Sequence, residues 1–226
     1  MLLLIDHADI QTIQALYEEF PYDGVTTNPS ILKAVGGNPL QVLREIRDFL
    51  PKGAQLHAQL IARDKAAMLK EAQHIWDELG ADTYVKVPVT SEGLKAIAAM
   101  RAKGISHITA TAIYTSLQAF LAAKAGARYT APYVNRIDNL GANGVQTARD
   151  MHTMFRQYGF KADVQAASLK NSQQVLELLK SGIGAVTAAP DILRQLVQCD
   201  AAECAIDVFT RDFYALAGEG KTMADC

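Results

Sequence analysis

Short apolar runs alternate with longer stretches of helical periodicity along the whole chain. The apolar runs, which we interpret as strands, lie at residues 2–6, 24–28, 55–61, 82–89, 107–112, 128–134, 163–168 and 185–189. The stretches between them, which we interpret as helices, lie at residues 9–20, 39–50, 64–79, 91–103, 115–126, 143–158, 171–181 and 190–197. Short strands that alternate with helices indicate βαβ units and a parallel sheet. Eight such units predict a closed (β/α)8 barrel.

A doubly wound open sheet is the alternative arrangement of such units. That fold commonly carries a glycine-rich phosphate turn after its first strand, whereas residues 6–9 read Asp-His-Ala-Asp. Glycines that suit the left-handed ends of helices follow five predicted helices, at Gly80, Gly104, Gly126, Gly159 and Gly182. We therefore predict the barrel.

A ninth helical pattern, at residues 200–216, remains after the eight units. We expect a barrel over residues 1–199 and a C-terminal helix and tail over residues 200–226. Apolar positions near one face of this helix are Ala205, Val208, Phe209, Phe213 and Leu216. That face either covers one end of its own barrel or packs on a neighbouring subunit.

The composition fits a single globular domain. Of the 226 residues, 50% are hydrophobic and 20% are charged, which is ordinary for a folded domain of this length. The 22 basic residues nearly cancel the 24 acidic ones, and a nucleic-acid-binding protein would usually carry a basic surplus. No apolar run reaches the length of a signal-peptide core or a membrane helix. We therefore expect a cytoplasmic protein whose partner is a small molecule, not a nucleic acid or a membrane.

The cysteines do not form a disulfide framework. Cys199, Cys204 and Cys226 are odd in number and lie near the C-terminus, which indicates a reducing compartment. Cys199 and Cys204 would need two more ligands to hold a metal, and no His-X-His or His-Glu-X-X-His spacing occurs. We therefore predict no metal site.

Polar side chains interrupt the apolar runs near the carboxyl ends of seven of the eight predicted strands. They are Asp6, Thr26, Asn28, Gln59, Lys86, Thr111, Asn135, Arg136 and Ser168. A buried polar group costs free energy unless it is paired, so a purely structural chain has little reason to place them so regularly. Because the functional face of a parallel barrel lies at the carboxyl ends of its strands, the pattern predicts a site there.

Lys86 is the most informative of these residues. Val85 and Val87 share one face of their strand, so Lys86 points into the barrel if the valines meet the helices. A desolvated amine has a lowered pKa and can attack a carbonyl to form a Schiff base. The alternative is a lysine at the end of a strand that extends to water.

The other polar residues each allow a functional and a structural interpretation. Asp6 could transfer a proton or cap the following helix. Gln59 could contribute to the site or be a core residue that forms hydrogen bonds. Tyr133 could act as an acid or base or simply line the barrel mouth. Arg136 could bind a phosphate together with Ser168 or be solvated, while Ser168 and Thr111 could instead satisfy local backbone groups. The histidines, including His7, His57 and His107, are interpreted as core or surface residues.

Four separated segments resemble the fructose-6-phosphate aldolase and small transaldolase family, and the aldolase branch most closely. They are residues 24–30 (GVTTNPS), 85–93 (VKVPVTSEG), 131–138 (APYVNRID) and 166–170 (AASLK). The resemblance runs from residue 1 to about residue 216. It implies a (β/α)8 barrel without a metal or organic cofactor, and a homo-oligomer built as a decamer of two pentamers. It also implies that the C-terminal helix reaches a neighbouring subunit.

The resemblance also implies a role for each residue of the site. Lys86 matches the Schiff-base lysine. The positions that contact the donor's hydroxyls or assist proton transfer match Asp6, Thr26 and Asn28. The trio that holds a catalytic water matches Gln59, Thr111 and Tyr133, with Tyr133 as the acid or base. The positions that receive the acceptor's phosphate match Arg136 and Ser168.

The resemblance favours the aldolase over the transaldolase branch. Small transaldolases typically carry glutamate, phenylalanine and glycine at the positions of Gln59, Tyr133 and Asn135. We therefore expect a class I aldolase that reversibly cleaves fructose 6-phosphate to dihydroxyacetone and glyceraldehyde 3-phosphate. The alternatives are a transaldolase that passes the same three-carbon unit to another sugar phosphate, and a sugar-phosphate-binding barrel without activity.

The sequence departs from the aldolase pattern at a few positions. These are His7, His57, Thr109 and the stretch at residues 187–190. We expect these changes to touch the lining of the pocket and to leave the chemistry intact. They put the preferred acceptor in question.

Overall fold

Eight parallel strands close into a barrel in the computed structural model, which describes every residue from Met1 to Cys226. The strands are β1 (Leu2–Asp6), β2 (Gly24–Thr26), β3 (Gln55–Gln59), β4 (Tyr84–Pro88), β5 (Ile108–Ile113), β6 (Tyr129–Pro132), β7 (Asp163–Ala166) and β8 (Ala185–Ala188). Each strand pairs with the next along the chain, and β8 pairs with β1. The predicted (β/α)8 barrel is confirmed, and no strand extends more than one residue beyond its predicted run.

Helices follow the strands in alternation. They are α1 (Ile10–Glu19), α2 (Pro29–Val35), α3 (Pro39–Phe49), α4 (Lys65–Leu79), α5 (Ser91–Ala102), α6 (Ser116–Ala125), α7 (Val134–Asp138), α8 (Gly144–Gln157), α9 (Ser172–Lys180) and α10 (Pro190–Gln195). All eight predicted helices between the strands are present. The short helices α2 and α7 were not predicted, and each follows directly after a predicted site residue, Asn28 and Tyr133.

The apolar core lies between the outer face of the barrel and the helices. Val85 and Val87 of β4 are fully buried in the core that also contains Ile97 and Met100 of α5. Burying such a side chain stabilises the fold by about 1.5–3 kcal/mol. Because side chains alternate along a strand, the burial of these valines against helices turns Lys86, which lies between them, toward the barrel interior.

Close packing of the backbone explains the glycine that begins β2. A Cβ atom on Gly24 would lie 2.1 Å from the carbonyl oxygen of Gln55, and the φ angle of Gly24 is 150°. Both the space and the backbone angle therefore require glycine. The first residue of the 24–30 segment thus has a structural reason that is independent of chemistry.

Residues Arg194–Cys226 form a compact unit separate from the unit Met1–Leu193 that contains the barrel. This second unit contains α11 (Asp200–Ala217), which confirms the predicted ninth helix, and a 3-10 helix (Met223–Asp225). No residue of α11 is buried, and its apolar side chains include Phe209, which is 69% exposed. None of the helices in the chain has the length and apolar character required to cross a bilayer.

Candidate active site

A cavity of about 360 Å³ opens at the carboxyl ends of the strands. Its lining includes six of the predicted site residues, namely Asp6, Asn28, Lys86, Tyr133, Arg136 and Ser168. The other three, Thr26, Gln59 and Thr111, lie on strands β2, β3 and β5 at the same end of the barrel. The structure therefore brings six of the nine predicted site residues to this cavity and places the other three at the same end of the barrel, with Gln59 lining two other cavities.

Lys86 reaches the cavity from inside the barrel and is only 4% exposed. Its Nζ atom donates a hydrogen bond of 2.7 Å to the backbone carbonyl of Thr27. Burial lowers the pKa of the amine, and the Asp6 carboxylate acts in the opposite direction with a smaller effect. The interpretation of Lys86 as a lysine that extends to water is therefore wrong.

Asp6 belongs to a hydrogen-bonded chain across three strand ends. Its Oδ1 atom accepts a hydrogen bond of 2.7 Å from the hydroxyl of Thr26, and that hydroxyl lies 2.6 Å from the hydroxyl of Thr187. Asp6 does not cap α1, because the cap is Asp9, whose Oδ2 atom accepts from the backbone N–H of Thr12 at 2.8 Å. The carboxylate of Asp6 therefore faces the site and not the helix.

Tyr133 and Thr111 form a hydroxyl pair beside the cavity, with 3.0 Å between their oxygen atoms. The pairing of β5 with β6 shifts its register between Ala110 and Ile113, and Ala112 takes a left-handed φ of 58° within this bulge. A bulge redirects the side chain next to it, which accounts for the reach of Thr111 toward the phenol. A proton can be transferred between the two oxygen atoms of this pair.

Gln59 lies opposite Lys86 in the pairing of β3 with β4. Its Oε1 atom is buried and has no hydrogen-bond partner. An unpaired buried acceptor costs free energy unless another group bonds to it. The structure thus does not bond Gln59 directly to Thr111 or Tyr133, although its strand end is shared with the site.

Arg136 marks the outer part of the cavity. Its guanidinium lies over the ring of Tyr133, 4.6 Å from the ring centroid, and Nη1 is 3.5 Å from the hydroxyl of Tyr114. The bond to Tyr114 is the main reason that the pKa of Arg136 is raised. Ser168, on the same cavity, holds a left-handed φ of 58°, which is strained for a residue with a Cβ atom. The two polar side chains thus line the same cavity.

Asn28 lines the cavity and caps a helix with the same side chain. Its Oδ1 atom accepts hydrogen bonds of 3.0 and 3.1 Å from the backbone N–H groups of Ser30 and Ile31, at the start of α2. Because the oxygen of the amide is occupied, the side chain offers its NH2 group as a donor. Asn135, in contrast, lies in α7 and does not line the cavity.

Four further polar residues line the cavity without having been given a role in the site. They are His7, Ser30, Lys170 and Thr187. The pattern of polar residues at strand ends could have indicated Thr187, because Thr187 is the polar residue near the end of β8, the one strand that the pattern lacked. Lys170 lies two residues beyond Ser168, within a segment that the family resemblance already singled out.

The expectation that His57 and Thr109 line the pocket is wrong. Both side chains are fully buried, and neither borders the cavity. His57 pairs with Tyr84 and Thr109 with Lys86 in the strand registers, so both lie on the inner face of the barrel below the opening. His7 and Thr187 do line the cavity, so the departures from the aldolase pattern reach it only there and at Ala189.

No group of three or more His, Cys, Asp or Glu side chains lies together as a metal site would need. Cys199, Cys204 and Cys226 are exposed and unpaired. The polar groups of the cavity include an amine, a carboxylate, a phenol and a guanidinium, a set that can act on an organic carbonyl compound.

A closed (β/α)8 barrel with a buried amine at the carboxyl ends of its strands has the architecture of a barrel enzyme. Over residues 3–223 the chain matches the family described as transaldolase/fructose-6-phosphate aldolase. It is 36% identical over 217 residues to a protein of Streptococcus pneumoniae described as a probable fructose-6-phosphate aldolase, a match that covers 96% of this chain and 97% of the relative. The chain belongs to the transaldolase/fructose-6-phosphate aldolase family.

Proposed function

We propose that the chain is a class I aldolase that reversibly cleaves fructose 6-phosphate to dihydroxyacetone and glyceraldehyde 3-phosphate. The observation that carries this proposal is the Lys86 amine, which is buried, has a lowered pKa and borders the cavity. A lowered pKa increases the fraction of the amine that is neutral and nucleophilic. The name of the pneumococcal relative supports the choice of substrate.

The reaction follows from the chemistry of an amine and a ketose. Nζ of Lys86 adds to the C2 carbonyl, and loss of water leaves a protonated imine. When a base removes the proton of the C4 hydroxyl, the C3–C4 bond breaks and its electron pair moves into the imine. Glyceraldehyde 3-phosphate leaves, and an enamine stays on Lys86. Protonation of the enamine carbon and addition of water then release dihydroxyacetone and regenerate the amine.

The proton transfers fall to the Tyr133–Thr111 pair. The phenol lies on the cavity and shares a 3.0 Å contact with the hydroxyl of Thr111, which is within the range over which general acid–base catalysts act. The unpaired Oε1 atom of Gln59 supplies an acceptor for a water molecule shared with that pair. Asp6, held by Thr26 and facing the same cavity as Lys86, is placed to assist.

Arg136 and Ser168 are proposed to bind the phosphate of the substrate. Arginine binds phosphate through charge-assisted, often bidentate hydrogen bonds. The guanidinium of Arg136 is held by Tyr114 and by the ring of Tyr133, so it loses little freedom when it binds. Asn28 and Thr26, at the opposite strand ends, are proposed to contact the hydroxyls of the donor.

Lys86 labelling tests the mechanism. The protein is incubated with dihydroxyacetone and sodium borohydride, digested, and analysed by peptide mass spectrometry. We expect one reduced adduct, on Lys86, that is absent from Lys86→Met and present in Lys103→Met, where an exposed lysine at the end of α5 is replaced. An adduct on any other lysine would refute the mechanism.

Product analysis separates the aldolase from the transaldolase. Fructose 6-phosphate is supplied without any acceptor sugar, and free dihydroxyacetone is measured. An aldolase releases it with each turnover, whereas a transaldolase keeps the three-carbon unit on the enzyme until erythrose 4-phosphate is added. Release that depends on erythrose 4-phosphate would contradict the aldolase proposal and favour the transaldolase.

We further propose that the protein forms a homo-oligomer, a decamer of two pentamers, in a reducing cytoplasm. The exposed apolar residues of α11, among them Ile206, Phe209 and Leu216, support burial in an interface between subunits. The unpaired thiols of Cys199 and Cys204 suit a reducing compartment.

A further inference from the structure

A layer of polar side chains lies inside the barrel directly beneath Lys86. In a (β/α)8 barrel each interior layer takes one residue from alternate strands. Following the strand registers, Lys86 shares its layer with Thr26, Ala131 and Thr187. The layer below consists of Leu4, His57, Thr109 and Gln165, and we call these four residues the floor. Branched apolar residues usually fill such layers, so the three polar members of the floor need an explanation.

His57 is the centre of the floor. Its Nδ1 atom lies 3.0 Å from the hydroxyl of Thr109, and its Nε2 atom lies 3.0 Å from Oε1 of Gln55 and 3.4 Å from Nε2 of Gln165. The ring stacks on Tyr84 with 4.6 Å between centroids and 12° between planes. Burial lowers the pKa of His57 well below its usual value, with Lys86 and His107 acting in the same direction, so the imidazole is neutral.

The hydrogen bonds of the ring fix the direction in which Thr109 donates. The contact with Oε1 of Gln55 places the single ring proton on Nε2, because a carbonyl oxygen can only accept. Nδ1 must then accept, and the hydroxyl of Thr109 donates to it. Thr109 is the direct register partner of Lys86 on the neighbouring strand, where paired backbones lie about 4.8 Å apart. His57 thereby sets the orientation of a polar side chain that flanks the reactive lysine.

We propose that His57 is a positioning residue for Lys86: by accepting the hydrogen bond of Thr109 in the floor, it fixes part of the surface on which the lysine side chain rests while its amine reacts. The floor contains no charged group, so Lys86 rests on neutral dipoles and has no counter-charge beneath it. Fixed dipoles of this kind orient a reacting group without holding it in its charged form. This inference rests on the proposed Schiff-base role of Lys86.

The rate of borohydride-trapped labelling of Lys86 by dihydroxyacetone tests the inference. His57→Phe keeps the stack on Tyr84 and removes both ring nitrogens, and Thr109→Val removes the hydroxyl at nearly constant shape. We expect each change to lower the maximal labelling rate by about ten-fold, the effect of one buried hydrogen bond, with little change in the dihydroxyacetone concentration at half-maximal rate. The double variant should lose little more than either single variant, because both break the same bond.

Conservative and control variants distinguish positioning from general loss of structure. His57→Asn keeps an acceptor near the position of Nδ1 and Thr109→Ser keeps the hydroxyl, so both should recover most of the labelling rate. His107→Phe is the matched control, because His107 packs edge-to-face on the same Tyr84, with 5.0 Å between ring centroids, without bonding to the floor. It should label at the rate of the original protein. All rates are measured on samples shown to be folded by near-ultraviolet circular dichroism.

The outcomes separate this inference from the proposed function. If the original protein is not labelled at Lys86, the Schiff-base mechanism fails, and the inference fails with it. If the original protein is labelled and His57→Phe and Thr109→Val label equally fast, only the inference is overturned. Should His57→Phe not fold, the comparison of Thr109→Val with Thr109→Ser decides alone: equal rates overturn the inference, and a slower valine variant supports it.

Discussion

Replacing Lys86 with methionine should change how the stability of the protein depends on pH. Lys86 is 4% exposed, and burial lowers its folded-state pKa below the ordinary value of 10.5. Between the folded and the unfolded pKa the unfolded chain binds more protons than the folded one, so the free energy of unfolding rises with pH. Below the folded pKa the amine is charged in both states and the full penalty of burying it applies. Above 10.5 it is neutral in both states and the penalty vanishes.

The slope within that window gives the size of the effect. Each pH unit between the two pKa values contributes about 1.4 kcal/mol to the free energy of unfolding of the original protein and nothing to that of Lys86→Met. The variant also loses the bond from Nζ to the carbonyl of Thr27, which offsets the curves by about 1 kcal/mol. The difference between the two proteins should therefore grow in favour of lysine as pH rises toward 10.5.

Urea unfolding at pH 7, 8, 9 and 10, at matched protein concentration, measures this difference. Taking the difference removes the contribution of groups common to both proteins, such as Tyr17, whose pKa burial raises to about 12. Lys52→Met, at an exposed lysine, is the control and should give a flat difference. A flat difference for Lys86→Met as well would show that the amine carries no burial penalty, and the argument for a neutral nucleophile would fail.

Three further changes test the site and the assembly. Tyr133→Phe should shift the reaction from release of dihydroxyacetone toward its transfer to erythrose 4-phosphate, because the enamine loses its proton donor; unchanged partitioning in a product assay would count against the phenol. Arg136→Gln should raise the KM for fructose 6-phosphate by about 10- to 100-fold through loss of a charge-assisted bond, and equal KM values would remove the phosphate role. Phe209→Asp should reduce the mass measured by sedimentation, since Phe209 is 69% exposed on α11; a monomeric original protein would refute the oligomer.

The alternation of side chains made the barrel and the direction of Lys86 predictable from the sequence. A strand has a period of two, so the two valines that flank Lys86 indicate which face meets the helices. The same reasoning collected the strand-end residues that line the cavity. It placed the end of the second strand too late, at residue 28, because Asn28 caps α2 instead of continuing β2. The pair Asn28-Pro29 carried that signal, since asparagine at the cap followed by proline commonly begins a helix.

The helix α7 and the depth of the floor were not predictable in the same way. α7 has only five residues, and its N-cap residue, Tyr133, makes no side-chain capping bond, so no local pattern predicts it. The period of two shows that His57 and Thr109 face inward, but it does not show how far below the opening they lie. That depth depends on the stagger of neighbouring strands around the closed barrel, which is a property of the whole sheet. The expectation that both residues line the pocket is therefore wrong, whereas the interpretation of His57 as a core residue is confirmed.

Two residues with strained backbone angles lie at the site of Lys86. Ala112 and Ser168, the two left-handed residues other than glycine, lie beside Thr111 and on the cavity. Each such residue costs roughly 1–2 kcal/mol, and the buried amine adds its own penalty. A protein retains strained residues where they position functional groups that an unstrained backbone would not position. The strain persists because the surrounding barrel enforces it. Substitutions that relieve the strain at Ala112 or Ser168, or remove the buried amine of Lys86, would stabilise the fold. The same substitutions would remove the geometry that the proposed reaction requires.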